Sequence, residues 1–155
     1  MGCDIHLFVE RKQFGYGSDS DKYVWLSLDK WTEDGDPEDV YLHVSYKDSL
    51  YSERNYNLFC ALAGATSHRF SNSPKFIKPK GIPSDCSKLI LSVIKRWEGD
   101  GHSHSYLTLR ELKDFDWSEY GNTCDKFRME FMQKLEKLKD RMTDDDIRIV
   151  FFFDN

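Results

Sequence analysis

The stretch Ile147 to Asn155, reading Ile-Arg-Ile-Val-Phe-Phe-Phe-Asp-Asn, constrains the fold more than any other part of the chain. An apolar run this continuous is expected in a strand with neighbours on both sides rather than at a sheet edge. The natural neighbour is the amino-terminal segment Cys3 to Arg11. There Ile5, Leu7 and Val9 alternate with Asp4, His6, Phe8 and Glu10, the pattern of a strand with one buried face. If the two strands run antiparallel, the start of the first meets the end of the last, and Asp4 and His6 come close to Asp154 and Asn155.

The intervening chain supplies the other layer. A loop from Gln13 to Asp21, rich in Gly, Ser and Asp, leads to a second strand over Tyr23 to Leu28, making a hairpin. Asp29 to Asp39 carries six carboxylates and a proline and reads as an exposed acidic loop, followed by a third strand over Val40 to Lys47. The period then becomes helical. Tyr56, Phe59, Leu62 and Ala63 share a face, with Ser52 as a candidate cap and Gly64 as the stop. Pro83-Ser84-Asp85 opens a second helix with Leu89, Ile90, Val93, Ile94 and Trp97 on its apolar side, and Thr108-Leu109-Arg110-Glu111 is a capping box that starts a third. The longest helix spans Thr123 to Met142, with Phe127, Phe131, Leu135, Leu138 and Met142 in register. Strands first, helices next and a strand last predict an α+β domain over residues 1–155: a mainly antiparallel sheet, its amino- and carboxy-terminal strands adjacent, with the helices packed on one face.

Eleven Phe, eight Tyr and four Trp supply enough large side chains for one core of this size. A net charge of −5 argues against a chain that follows a phosphate backbone, so no nucleic-acid partner is expected. No segment approaches the roughly 18 consecutive apolar residues of a membrane span. Cys3, Cys60, Cys86 and Cys124 are widely spaced, follow no apolar leader, and read as buried free thiols in a reducing cytoplasm. Met1-Gly2-Cys3 lacks the Ser or Thr at position six that a myristoylation signal needs; His6 stands there.

Two clusters carry candidate chemistry. His102 and His104, one residue apart among Gly101, Ser103 and Ser105, project from one side of an extended segment; they can bind a metal, move protons, donate to an anion, or tie a loop down. Asp4 and His6 share a strand face in the same way, and Asp4, His6, His102 and His104 together form a possible ligand set for zinc or manganese. Arg54 and Asn55 stand at the start of the first helix, where an anion is favoured.

Two resemblances bear on these residues. Asp4-Ile5-His6 and Gly101-His102-Ser103-His104 resemble the first and last motifs of calcineurin-like metallophosphoesterases; that family's Gly-Asn-His-Asp/Glu motif is absent. More of the chain is similar to a group of small bacteriophage and bacterial proteins. The blocks are Met-Gly-Cys-Asp-Ile-His at the start, Arg54-Asn55-Tyr56-Asn57-Leu58-Phe59 with Leu62-Ala63-Gly64, Gly81-Ile82-Pro83, Asp100-Gly101-His102-Ser103-His104-Ser105, and Phe153-Asp154-Asn155. That resemblance implies a setting rather than a reaction: a small phage-type protein in the host cytosol that counters defence by sequestering or cleaving a nucleotide-derived signal.

Three readings are open. In the first, no cofactor is needed: His6, Arg54, Asn55, His102, Ser103, His104, Asp154 and Asn155 line a pocket for a small phosphorylated or nucleotide-like ligand. In the second, Asp4, His6, His102 and His104 hold a metal that activates water for hydrolysis. In the third, a surface such as the acidic loop blocks a host protein. A symmetric homodimer is compatible with any of them.

Overall fold

The computed structural model describes residues 2–155. Four strands, β1 (Asp4–Phe14), β2 (Tyr23–Ser27), β5 (His102–Thr108) and β6 (Ile147–Asp154), form an antiparallel sheet in the order β2-β1-β6-β5. The two terminal strands are thus the two central ones. Their register places Asp4 opposite Asp154 and His6 opposite Phe152, as the apolar run at the end of the sequence requires. The chain is an α+β fold.

Each face of this sheet has its own cover. Ile5, Leu7 and Val9 of β1 and Ile147, Ile149, Phe151 and Phe153 of β6 point into the main core. There they meet α1 (Tyr56–Ala63), α3 (Leu109–Asp114), a π turn over Phe127–Phe131 and α4 (Met132–Lys139), which continues directly from that turn. The other side chains, Phe8, Val150 and Phe152, pack against Ile90, Val93 and Ile94 of α2 (Lys88–Arg96). Three of the four helices lie on the face expected to carry them all, and α2 lies on the opposite face. Its presence explains the lack of alternation in β6: a strand covered on both sides gains from apolar residues at every position.

The exception inside that run is Arg148, and it is paired. Its Nε donates to Glu10 Oε1 at 2.8 Å, both side chains are essentially inaccessible, and the guanidinium lies 4.0 Å over the Trp25 ring. Arg148 Nη2 comes within 3.0 Å of Asp85 Oδ1 without the alignment of a hydrogen bond. The second Glu10 oxygen accepts the Ser87 N–H at 2.8 Å, next to the start of α2. Glu10, expected on the solvent side of β1, is therefore fully buried.

Local signals account for most boundaries. Thr108 and Glu111 form the expected capping box on α3, and Gly64 ends α1 at φ 66°, with its N–H bonded to the Cys60 carbonyl. The cap of α1 is Asn55, not Ser52: Asn55 Oδ1 accepts the Leu58 N–H at 3.1 Å. α2 begins at Lys88 instead of at Pro83. The acidic stretch expected to be a loop contains β3 (Thr32–Asp36), which pairs with β4 (Asp39–His43) in a separate, largely exposed hairpin. A two-stranded ribbon that buries little apolar surface leaves no alternation in the sequence to mark it.

At the end of β2, Asp29 bonds the strands together through one oxygen. Oδ2 accepts the Val9 N–H at 3.0 Å and the Ser27 hydroxyl at 2.6 Å, whereas Oδ1 is buried with no partner among the described residues. Burial pushes this carboxyl from its ordinary 3.8 to about 6. All four cysteines are buried and free, as expected. Among the described residues, no helix is long and apolar enough to cross a membrane.

Candidate functional site

The meeting of β1 and β6 leaves a cavity of about 530 Å³ at the end of the sheet, beside the first half of β1. Asp4, His6 and Phe8 reach it from β1 and Asp154 from β6; the segment from Val44 to Arg54 forms the far wall through Tyr46, Ser49, Ser52 and Arg54. Period two in β1 explains why Asp4, His6 and Phe8 share this side: their neighbours Ile5 and Leu7 send side chains to the main core.

The polar groups are already arranged by one another. Arg54 donates through Nε and Nη2 to the two Asp4 oxygens at 2.9 and 2.7 Å, a bidentate fork that holds the Asp4 carboxyl below its ordinary range. His6 Nε2 lies 2.6 Å from Asp154 Oδ2. The imidazole stacks on Phe152 at 4.6 Å with planes 8° apart, and Trp97 borders it at 4.5 Å. The hydrogen bond together with two aromatic contacts fixes the ring plane. His6 Nδ1 makes no hydrogen bond among the described residues. The lining thus carries two carboxylates, Asp4 and Asp154, and the guanidinium of Arg54.

The two histidines of β5 do not share a face. His102 pairs with Phe153 and Ser105 with Phe151, so three steps along β5 oppose two along β6, and Ser103 takes φ 54° at this bulge. An inserted residue reverses the facing of the next ones along the strand. His104 consequently stacks on Phe152 at 5.3 Å, on the α2 side, whereas His102 lies against Phe153 at 6.1 Å, on the side of the main core. The reading that both imidazoles project from one side is corrected by this bulge.

His6 and His104 thus flank the same ring, Phe152, but open into different spaces. His104 lines an apolar cleft of about 420 Å³ with Ile82, Leu91 and Ile94, and burial, followed by the nearby His102 charge, pushes its pKa down. His102 reaches Asn155 Oδ1 at 3.3 Å and Ser103 Oγ at 3.0 Å, a small polar cluster at the sheet rim. Asn55 is occupied with structure: besides capping α1, its Nδ2 donates to the Thr123 carbonyl at 2.9 Å. Of the eight residues expected to bind ligand, His6, Arg54 and Asp154 line the main cavity, joined by Asp4 from the metal set.

The four residues of that metal set are not gathered around one point. Asp4 engages Arg54, His6 engages Asp154, and the two β5 histidines diverge. Among the described residues, no group of three or more His, Cys, Asp or Glu side chains is placed to hold an ion. Sequence reasoning missed Tyr46, Ser49 and Ser52 as lining residues: Tyr46 starts a short 3-10 turn and the two serines lie in irregular chain beyond it, where no periodicity marks a wall. It also missed Arg148, whose signal was present: a lone charge inside an apolar strand requires a buried partner.

No protein-family model matches the chain, and comparisons with curated proteins and with solved structures found no match.

Proposed function

We propose that the protein binds a small nucleotide-like ligand carrying no more than one phosphate, in the cavity bounded by Asp4, His6, Arg54 and Asp154. The observation that carries this reading is the preformed space of about 530 Å³, inside the range of small-molecule sites, with polar groups held in place by the Arg54–Asp4 fork and the His6–Asp154 bond. Arg54 brings a guanidinium into the cavity lining and is the group that suits a phosphate oxygen. Asp154 Oδ1 and His6 Nδ1 suit ribose hydroxyls, and Tyr46, 79% exposed at the wall, offers a ring face. One cation set among two carboxylates favours a monophosphate over a polyphosphate. Binding alone suffices to keep a nucleotide-derived signal out of circulation, the role implied by the likeness to phage proteins.

Titration calorimetry with mononucleotides and their parent nucleosides tests the reading. Arg54→Lys, which abolishes the fork, is expected to weaken the monophosphates and spare the nucleosides, and Asp154→Asn to weaken both. Absence of saturable binding by both classes refutes it.

A second reading rests on the 2.6 Å His6–Asp154 contact, which is also how an acidic residue orients a histidine for general-base catalysis. Ligand recovered intact after prolonged incubation supports storage. Ligand recovered altered by the wild-type chain but intact from His6→Ala supports catalysis.

A further inference from the structure

The cavity has a wall made of main chain. Val9 fixes its orientation: its N–H goes to Asp29 Oδ2 at 3.0 Å and its carbonyl accepts the Leu28 N–H at 2.8 Å, both on the side away from β6. On the even-numbered side, Lys12 donates its N–H to the Asp146 carbonyl at 2.9 Å, toward β6. Alternation along the strand therefore turns the peptide groups of Ile5 and Leu7 to the same edge as those of Val9. β2 does not cover them, because its pairing with β1 begins at Glu10. Among the described residues, no hydrogen bond reaches Ile5 or Leu7 from that edge.

These two residues border the cavity although their side chains are in the main core on the other side, so what they present to it is backbone. Leu7 is 2% and Ile5 6% exposed. Backbone donors and acceptors so poorly hydrated are costly to leave unpaired, and native proteins almost always give them partners. The cavity is where such a partner fits.

The shape of the opening selects that partner. Its upper end is closed by Leu28 and Asp29 bonded to Val9. At its lower end Arg54 packs over Gly2 so closely that a Cβ there would meet Nη1 at 2.7 Å, and it grips Asp4. What is free between them is two residues, about 7 Å of strand. An extended peptide adding itself as a fifth strand would collide with both ends. A compact planar molecule would not, and Phe8, stacked on Trp31 at 5.6 Å, gives the cavity an aromatic side.

We propose that the open edge of β1 at Ile5 and Leu7 reads the base of the bound ligand, its main-chain N–H and C=O pairing with the adjacent donor and acceptor that every nucleobase carries. This rests on the nucleotide reading of the same cavity and specifies it: the base lies against the strand, the sugar reaches Asp154 and His6, and the phosphate lies toward Arg54.

Main-chain groups cannot be substituted by ordinary mutation, so the test alters the ligand. Uridine 5′-monophosphate is compared with its 3-methyl derivative, adenosine 5′-monophosphate with its N6,N6-dimethyl derivative, and both with ribose 5-phosphate, while amide signals of the full chain are followed by NMR. Loss of a base-edge hydrogen bond is expected to weaken at least one methylated nucleotide by about tenfold. The unmodified nucleotide is expected to slow exchange of the Leu7 and Ile5 amides by about tenfold or more. If nucleotides bind but methylation, removal of the base and the two amides make no difference, base reading is overturned while the ligand site stands. If none of the five compounds binds, both fall. If an extended hexapeptide protects the two amides and nucleotides do not, the edge is a peptide-pairing site and the proposal is wrong.

Discussion

Asp29 gives the fold a pH dependence opposite to that of Asp4, Glu136, Asp144 and Asp146. Its Oδ1 is buried without a partner among the described residues, and burial raises the group from 3.8 to about 6. A raised acid stabilises the fold while protonated and loses that contribution as pH climbs through the folded value. At 1.36 kcal/mol per pH unit, ionised Asp29 costs the fold about 3 kcal/mol at pH 7 and above; about half is recovered by pH 5 and nearly all by pH 3. Asp4, Glu136, Asp144 and Asp146 are shifted the other way, so the total curve mixes both signs. The difference between wild type and Asp29→Asn isolates the one group, since the amide oxygen can still accept from Val9 and Ser27. Urea unfolding from pH 4 to pH 8 should show the variant gaining on the wild type as pH rises, by about 2.4 kcal/mol across the window. An unpaired amide nitrogen would offset the whole curve without changing its slope. A stability difference that does not change with pH would refute the reasoning.

Other expectations concern single contacts. Arg148→Met alone leaves the buried Glu10 carboxylate without its cation and should cost about 3–5 kcal/mol in urea unfolding, whereas Glu10→Leu with Arg148→Met should recover most of that loss. Gly64→Ala is expected to destabilise by at least about 1 kcal/mol, because φ is 66° and the new methyl would meet the Phe76 ring at 2.5 Å; thermal unfolding reads it. Thr108→Ala removes the capping box of α3 and should cost about 1 kcal/mol in the same assay. His102→Ala should leave nucleotide affinity unchanged in calorimetry, since its ring lies on the other side of the sheet from His6; a large loss would contradict the facing assigned to the bulge.

The meeting of Asp4 and His6 with Asp154 was legible because it arises from two strong patterns, an alternating first strand and an unbroken last one, paired antiparallel. The placement of α2 was contained in the same pattern: a strand apolar at every position needs cover on both faces, which helices on one side cannot give. The facing of His102 and His104 was not legible. A bulge is decided by how β5 registers on Phe151 and Phe153, and Ser103 is an unusual residue to adopt φ 54°, so no local composition announced it. The β3–β4 hairpin was hidden for a different reason. Its strands are polar on both sides, and periodicity reports burial rather than extension.

The pairing of β1 with β6 joins residues 148 positions apart at His6 and Asp154, and the same two strands form the middle of the sheet. Whatever fills the cavity therefore grips the seam on which the whole domain depends. Occupancy and unfolding are then one linked equilibrium: a compound present at a hundred times its dissociation constant adds about 2.7 kcal/mol to global stability. A rise in melting temperature would thus serve as a screen for compounds that fill the cavity.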